Sequence, residues 1–87
     1  MKKKEFNKIA EGDIVTIIGI DTQEDCVVMT KTDYACNLFT VEQDNKADGI
    51  MRPVASYYRT YDEIISKVGS DIALYEYYLD LSNKTPI

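Results

Sequence analysis

The side chains that could do chemistry in this chain belong to two cysteines, fifteen acidic residues and seven tyrosines, and the sequence contains no histidine. Cys26 and Cys36 do not form a CxxC pair, and two thiolates without histidine do not complete a tetrahedral zinc site. Without histidine, a nucleophilic serine or cysteine would need a lysine or a carboxylate as its base. We therefore expect two reduced, structural thiols, with a hairpin disulfide or a reactive thiol as the alternatives.

The acidic residues do not form a recognisable catalytic or metal-binding motif. Residues 44–49 (DNKADG) suggest a calcium loop, but Lys46 stands where an oxygen ligand is required and Ala55 stands where the loop needs glutamate. Asp62 and Glu63 are adjacent, and neighbouring residues do not face each other on a helix. The four glycines are isolated, so the sequence has no phosphate-binding loop. We expect no metal, no cofactor and no enzymatic activity.

Tyrosine is the unusual residue type in this chain, because seven aromatic residues are Tyr, two are Phe and none is Trp. A buried tyrosine hydroxyl needs a hydrogen-bond partner, and tyrosine is enriched at protein interfaces. Two interpretations follow: a core whose hydroxyls point outward at its rim, or a patch that binds a partner. Most of the tyrosines lie in the second half of the chain: Tyr57, Tyr58, Tyr61, Tyr75, Tyr77 and Tyr78.

A helical wheel for residues 71–81 places the acidic residues on a narrow polar strip and Tyr77 at the edge of a wide apolar arc. Tyr75 lies deep in that arc. We therefore expect Tyr77 to be the most exposed tyrosine of this segment and Tyr58 to be a similar rim residue. The candidate partner-binding residues are Tyr58, Tyr77, Glu76 and Asp80.

The charge of the chain is uneven. Its net charge is -5, but four lysines lie within residues 1–8, and from Ile9 onward six basic residues accompany fourteen acidic ones, which gives -8. We expect residues 1–8 to form a basic, mobile arm. The acidic remainder repels phosphate, which disfavours direct nucleic-acid binding and favours a protein partner with a basic surface.

The first half of the chain has the composition of short strands. Asp13–Ile20 is rich in β-branched residues, and Gly19 within it indicates a bulge or a close backbone approach. Polar turns separate further strands, and Pro53 places the last of them at an edge. Over residues 12–54 these strands predict a small antiparallel sheet or an SH3-like barrel-type meander. The further predicted strands are 26–30, 34–42 and 50–54.

The second half changes to helical spacing. Apolar residues recur at steps of three and four over 57–68, and Thr60 with Glu63 matches a capping box. A second helix is expected over 71–81, with a strand as the alternative, and residues 82–87 are expected to form a tail. The fold class is thus α+β in a single domain, 1–87, with one or two C-terminal helices on the sheet. The predicted core is Ile14, Ile17, Val27, Val28, Leu38, Phe39, Val41, Ile64, Ile65, Val68, Ile72 and Leu79.

Three functions fit these observations. The first is a non-catalytic interaction module, one form of which is an inhibitor that occupies a basic or nucleic-acid-binding groove of its partner. The second is a nucleic-acid-associated small β-barrel domain that uses the lysine-rich arm, and the third is a thiol-dependent enzyme. No apolar segment is long enough for a membrane span or a signal peptide, so a cytoplasmic location is expected.

Overall fold

The computed structural model describes residues 1–84, and its strands dominate the first seventy residues. The β-branched segment that follows Gly12 forms the first strand, and each polar turn identified in the sequence joins two antiparallel neighbours. The elements are α1 (Lys3–Phe6), β1 (Asp13–Ile18), β2 (Gln23–Lys31), β3 (Ala35–Thr40), β4 (Gln43–Asn45), β5 (Met51–Pro53), β6 (Ser56–Thr60), a 3-10 turn (Tyr61–Glu63), β7 (Ile64–Ser70) and α2 (Ile72–Lys84).

Five strands form one antiparallel sheet in the order β6-β3-β2-β1-β7, and β4 pairs with β5 in a separate two-stranded hairpin. The predicted α+β class with an antiparallel sheet is confirmed. The sheet is open, because β6 and β7 lie at its two opposite edges and do not pair with each other, so there is no closed barrel.

Both faces of the sheet are covered. On one face the side chains of Phe6 and Ile9 complete an apolar cluster with the inner strands, and on the other face Tyr78 of α2 packs against Val27. The expectation of a mobile arm over residues 1–8 is wrong, since α1 forms within it and Phe6 is fully buried. A single buried aromatic ring is enough to fix so short a segment, because it removes a large apolar surface from water.

The helix predicted over residues 57–68 is wrong. Residues 56–60 form the edge strand β6, which pairs with β3, and residues 64–70 form β7, which pairs with β1. The capping box is real but closes only a 3-10 turn, in which the N–H of Thr60 donates to Oε1 of Glu63 at 2.8 Å. Aromatic and β-branched residues favour strands wherever a neighbouring strand offers hydrogen bonds, and here two do.

The apolar residues of β7 account for part of the error in the predicted core. Two register shifts between β1 and β7 leave Ile65 and Val68 without a paired position, and both side chains are exposed, as expected for bulges on an edge strand. Ile72 and Leu79 of α2 are also exposed. Buried residues that the predicted core lacks are Phe6, Ile9, Val15, Cys26, Met29, Ala35, Cys36 and Tyr78.

The helix prediction for residues 71–81 is confirmed, and the helix is longer than predicted. Asp71 caps its start, because Oδ1 of Asp71 accepts a hydrogen bond from the N–H of Leu74 at 3.0 Å. The predicted tail at 82–87 begins inside the helix, and residues 85–87 lie outside the described part of the chain. Within residues 1–84 no helix is long and apolar enough to cross a membrane.

Candidate functional site

A groove of about 480 Å³ lies between the C-terminal half of α2 and the strands at one edge of the sheet. Its apolar walls come from Met29 of β2, Phe39 of β3, Tyr58 of β6 and Leu79 of α2. We call it the Tyr58 groove. The remaining lining residues are Thr30, Asn37, Ser56, Tyr57 and Ser82.

Tyr58 is exposed because of its position on the edge strand. Successive side chains of a strand point to opposite faces, so Tyr57 points toward the core while Tyr58 stands opposite Asn37 on the face that carries α2. The α2 helix covers only part of this face, and the Tyr58 side chain remains 60% exposed. The predicted exposure of Tyr58 is confirmed, although its element is a strand rather than a helix.

Tyr77 is 39% exposed, whereas Tyr75 is half-buried and Tyr78 is fully buried, so the predicted ranking of Tyr77 is confirmed. Its hydroxyl donates to the carbonyl oxygen of Met51 at 3.0 Å and thereby ties α2 to the β4–β5 hairpin. Tyr77 and Leu79 are two residues apart, which on a helix is about 200°. Tyr77 therefore lies on the flank of α2 away from the Tyr58 groove.

The predicted depth of Tyr75 is wrong, because Tyr78 is the tyrosine at the centre of the interface between α2 and the sheet. Its hydroxyl donates to the carbonyl oxygen of Thr40 at 2.7 Å, and its ring packs edge-on against Phe39 with centroids 5.4 Å apart. Burial raises the pKa of Tyr78 above its ordinary value. Of the predicted apolar arc, Leu74, Tyr75 and Leu81 pack beside Tyr78, whereas Ile72 and Leu79 are exposed.

Glu76 and Asp80 are exposed on the outer side of α2, as the wheel predicts. Neither residue lines the Tyr58 groove. They place negative charge on the same helix that forms one wall of the groove, so an approaching partner meets that charge at the groove. Of the four candidate residues, the structure therefore places only Tyr58 in the groove itself.

The free edge of β6 is partly capped by its own side chains. The N–H of Thr40 donates to the carbonyl oxygen of Ala55, and because pairing alternates along antiparallel strands, residues 56, 58 and 60 direct their backbone groups away from β3. Of these outward groups, the carbonyl oxygen of Tyr58 accepts from Nη1 of Arg59 at 2.9 Å, and the N–H of Thr60 is held by Glu63.

Arg59 also joins the edge strand to the end of β1, a contact that the sequence analysis missed. Its Nη2 donates to the carbonyl oxygen of Ile18 at 3.0 Å, and its guanidinium lies 4.8 Å from the ring centre of Tyr57. The hydroxyl of Tyr57 donates to the carboxylate of Glu24, which raises the pKa of Tyr57. The close approach at Gly19 is made by a side chain, because an added Cβ there would meet this carboxylate.

The two cysteines are poor candidates for nucleophilic chemistry. Both are free and buried, and burial raises the pKa of Cys26 to about 12 and that of Cys36 to about 11. The thiolate is the reactive form of cysteine. At neutral pH both side chains are therefore neutral apolar groups in the core.

The loop that suggests calcium binding has a different role for its carboxylates. Both oxygens of Asp48 accept hydrogen bonds from Arg52, at 2.9 and 2.7 Å, and this contact lowers the pKa of Asp48 to about 2. Asp44 pairs with Lys46 at 3.1 Å. Among the described residues no group of three or more Asp, Glu, His or Cys side chains is placed to hold a metal ion.

Comparison with known proteins adds no residue to this site. No protein-family model matches the chain, and no curated protein and no solved structure is significantly similar to it.

Proposed function

We propose that this chain is a non-catalytic protein-interaction module whose binding site is the Tyr58 groove. The observation that carries the proposal is an aromatic ring, 60% exposed, beside an apolar groove of about 480 Å³. Protein interfaces concentrate their binding energy in a few residues, often aromatic, that fill pockets on the partner. The exposed Leu79 on the opposite wall provides apolar surface that a partner side chain would cover.

The charge of the chain indicates the chemistry of the partner. Residues from Ile9 onward carry six basic and fourteen acidic side chains, and Glu76 and Asp80 lie on the outer side of the helix that borders the groove. A negative surface accelerates the approach of a positive one and repels acidic competitors. We therefore expect a protein with a basic surface, and one form of the function is inhibition of that protein by occupying its basic or nucleic-acid-binding groove.

Two features support a non-catalytic role in the cytoplasm. The chain has no histidine, and its two thiols are buried with raised pKa values, so neither a histidine base nor a reactive thiolate lines the groove. Free, buried cysteines suit a reducing compartment, where disulfides are rare. A cytoplasmic location remains a prediction on this ground.

The test of the binding site compares two exposed tyrosines. The immobilised chain is used to recover proteins from host lysate, and the affinity of each recovered protein is then measured for Tyr58→Ala and for Tyr34→Ala, a variant of a tyrosine on another surface. We expect Tyr58→Ala to weaken binding at least about fivefold, the effect of losing an aromatic anchor, and Tyr34→Ala to leave it unchanged. Equal affinities for both variants and the unaltered chain would contradict the assignment.

The inhibitor form of the function has its own test. If the recovered partner binds nucleic acid, adding the chain should release a labelled oligonucleotide from it, and the Tyr58→Ala variant should require a proportionally higher concentration. A ternary complex of chain, partner and oligonucleotide would show that the chain binds elsewhere on the partner, and would contradict inhibition by occupation.

A further inference from the structure

A second surface is formed by the N-terminal lysines, which the fold holds in place. Phe6 is fully buried, and the turns of α1 are closed by backbone hydrogen bonds from Phe6 and Asn7 to Lys2 and Lys3, at 3.0 and 2.9 Å. The buried Phe6 side chain therefore anchors α1 to the sheet, and the N-terminal amine of Met1 donates to the carbonyl oxygen of Ile64 at 2.5 Å. The exposed lysines of this segment are Lys2, Lys4 and Lys8.

Lys3 of α1 and Lys31 of β2 both lie near the Phe6 ring. Nζ of Lys3 lies 5.9 Å from the ring centre of Phe6 and Nζ of Lys31, at the end of β2, lies 4.4 Å from the same ring. Nζ of Lys3 also lies 5.3 Å from the ring centre of Tyr34, in the turn after β2, and donates to Oδ1 of Asn7 at 2.6 Å. The Tyr34 side chain is 67% exposed.

Ring contacts bring Lys3, Lys31 and Tyr34 together, and the exposed Lys2, Lys4 and Lys8 belong to the same N-terminal segment. We call this region the lysine face, and its members are Lys2, Lys3, Lys4, Lys8, Lys31 and Tyr34. Within its two segments, 1–8 and 31–34, the acidic residues are Glu5 and Asp33, so five lysines accompany two carboxylates, and Asp62 and Glu63 lie on the 3-10 turn that contacts α1. The ion pairs that the structure shows among the described residues use Lys46, Arg52 and Lys67 instead.

We propose that the lysine face binds single-stranded nucleic acid. Ammonium groups attract the phosphates of the backbone, and an exposed aromatic ring between them offers a platform on which a base stacks. The remaining body is acidic and repels phosphate, which confines the contact to this face and limits it to a few nucleotides.

The geometry favours a single strand over the other polyanions. A protein recognises duplex DNA by inserting a helix or a two-stranded ribbon into the major groove of the DNA. The α1 helix has only four residues, and its aromatic side chain is directed into the protein core. A membrane surface is bound by an apolar helix face together with lysines, and here the apolar side chains of the segment, Phe6 and Ile9, are already buried in the sheet.

Fluorescence anisotropy of a labelled oligodeoxythymidylate, titrated with the full chain, tests this proposal. The logarithm of the affinity should fall with the logarithm of salt concentration with a slope of about -0.7 for each lysine that contacts phosphate. If all five lysines make contact, the slope is about -3.5, and raising salt from about 0.05 to about 0.2 M weakens binding roughly 100-fold.

Matched variants locate the contact. Lys31→Gln and Lys4→Gln should each weaken binding and make the salt slope shallower by about 0.7, whereas Lys46→Gln, on the β4–β5 loop, should leave both unchanged. Tyr34→Ala should weaken binding about fivefold or more, and Tyr34→Phe should retain it, since a phenyl ring also stacks. Tyr58→Ala should bind the oligonucleotide with unchanged affinity. The test of the lysine face therefore does not depend on whether the Tyr58 groove binds a protein.

Several results would overturn the inference. Absence of an anisotropy change at low salt would do so, as would equal losses from Lys46→Gln and Lys31→Gln, because binding would then follow net charge alone. Tighter binding to duplex DNA than to single-stranded DNA would contradict the proposed stacking of a base on Tyr34. Co-sedimentation with phosphatidylserine vesicles that depends on these lysines, without oligonucleotide binding, would assign the face to membranes. Circular dichroism of each variant confirms that the fold is retained.

Discussion

Replacing Tyr78 by phenylalanine removes one oxygen atom from the middle of the interface between α2 and the sheet. That oxygen donates to the carbonyl of Thr40, and both residues are buried. The N–H of Ala55, which faces Thr40 on the neighbouring strand, donates to Oγ1 of Thr40 at 3.1 Å. The carbonyl of Thr40 therefore depends on the Tyr78 hydroxyl, and water has no access to replace it.

The magnitude follows from this burial. A buried acceptor that loses its donor costs about 1–3 kcal/mol, so the free energy of unfolding should fall by that amount and the melting temperature by about 4–8 °C for each kcal/mol. Tyr77→Phe is the matched control, because its hydroxyl bond to Met51 is exposed and its loss should cost at most about 1 kcal/mol. Tyr78→Ala would also remove the ring, at about 3–5 kcal/mol, a large part of the total stability of a domain this small.

Urea unfolding followed by far-UV circular dichroism measures these three variants and Tyr75→Phe under one condition. If Tyr78→Phe is as stable as Tyr77→Phe, the Thr40 contact does not contribute as argued. If Tyr75→Phe costs more than Tyr78→Phe, α2 is rotated relative to the sheet and the account of its buried side is incorrect. A spectrophotometric titration gives an independent check, because the phenol missing from Tyr78→Phe should be one that ionises above the ordinary pKa of tyrosine.

Three further predictions follow from the structure. Phe6→Ala should lower the free energy of unfolding by about 3–5 kcal/mol in a urea titration, whereas a mobile arm would make it neutral. Cys26 and Cys36 should resist a thiol reagent in the native state at neutral pH and react on unfolding, and because their folded pKa values are raised above about 9, stability should fall as pH rises from about 9 toward 11, where unfolding releases protons. Thr60→Ala should cost about 0.5 kcal/mol, since only a 3-10 turn is capped, with Ser56→Ala nearly neutral by the same assay.

The local pattern of residue types was sufficient to predict several elements of the fold. The β-branched run from Asp13 predicted β1, which ends at Ile18, and Gly19 directly after it is closely approached by the Glu24 side chain. The apolar arc of residues 71–81 predicted α2, and Tyr77 at its edge is exposed as expected. Each of these features depends on neighbours within about one turn or one strand, so the chain itself contains the information.

The segment 57–68 depended instead on partners that are distant in the sequence. The apolar residues of this segment recur at steps of three and four, which fits a helix, but hydrogen bonds to β3 and β1 stabilise two strands instead. The capping box of Thr60 and Glu63 is compatible with a single turn as well as with the start of a helix. Helical spacing alone does not reveal whether a neighbouring strand is available, because paired residues such as Asp13 and Ser70 lie 57 residues apart along the chain.

The positions of the two surfaces were likewise decided by the tertiary structure. Composition placed lysines at the start of the chain, but only the burial of Phe6 fixes them beside Lys31 and Tyr34. Composition also indicated that tyrosine would matter, yet the packing of α2 on the sheet decides that Tyr78 is the buried ring, and Tyr58 faces a groove only because β6 forms an edge. The sequence by itself determined the fold class and the types of residue available for binding, since these depend on composition and local pattern. Their convergence into a groove and a basic face required the packing of segments that are far apart in the chain.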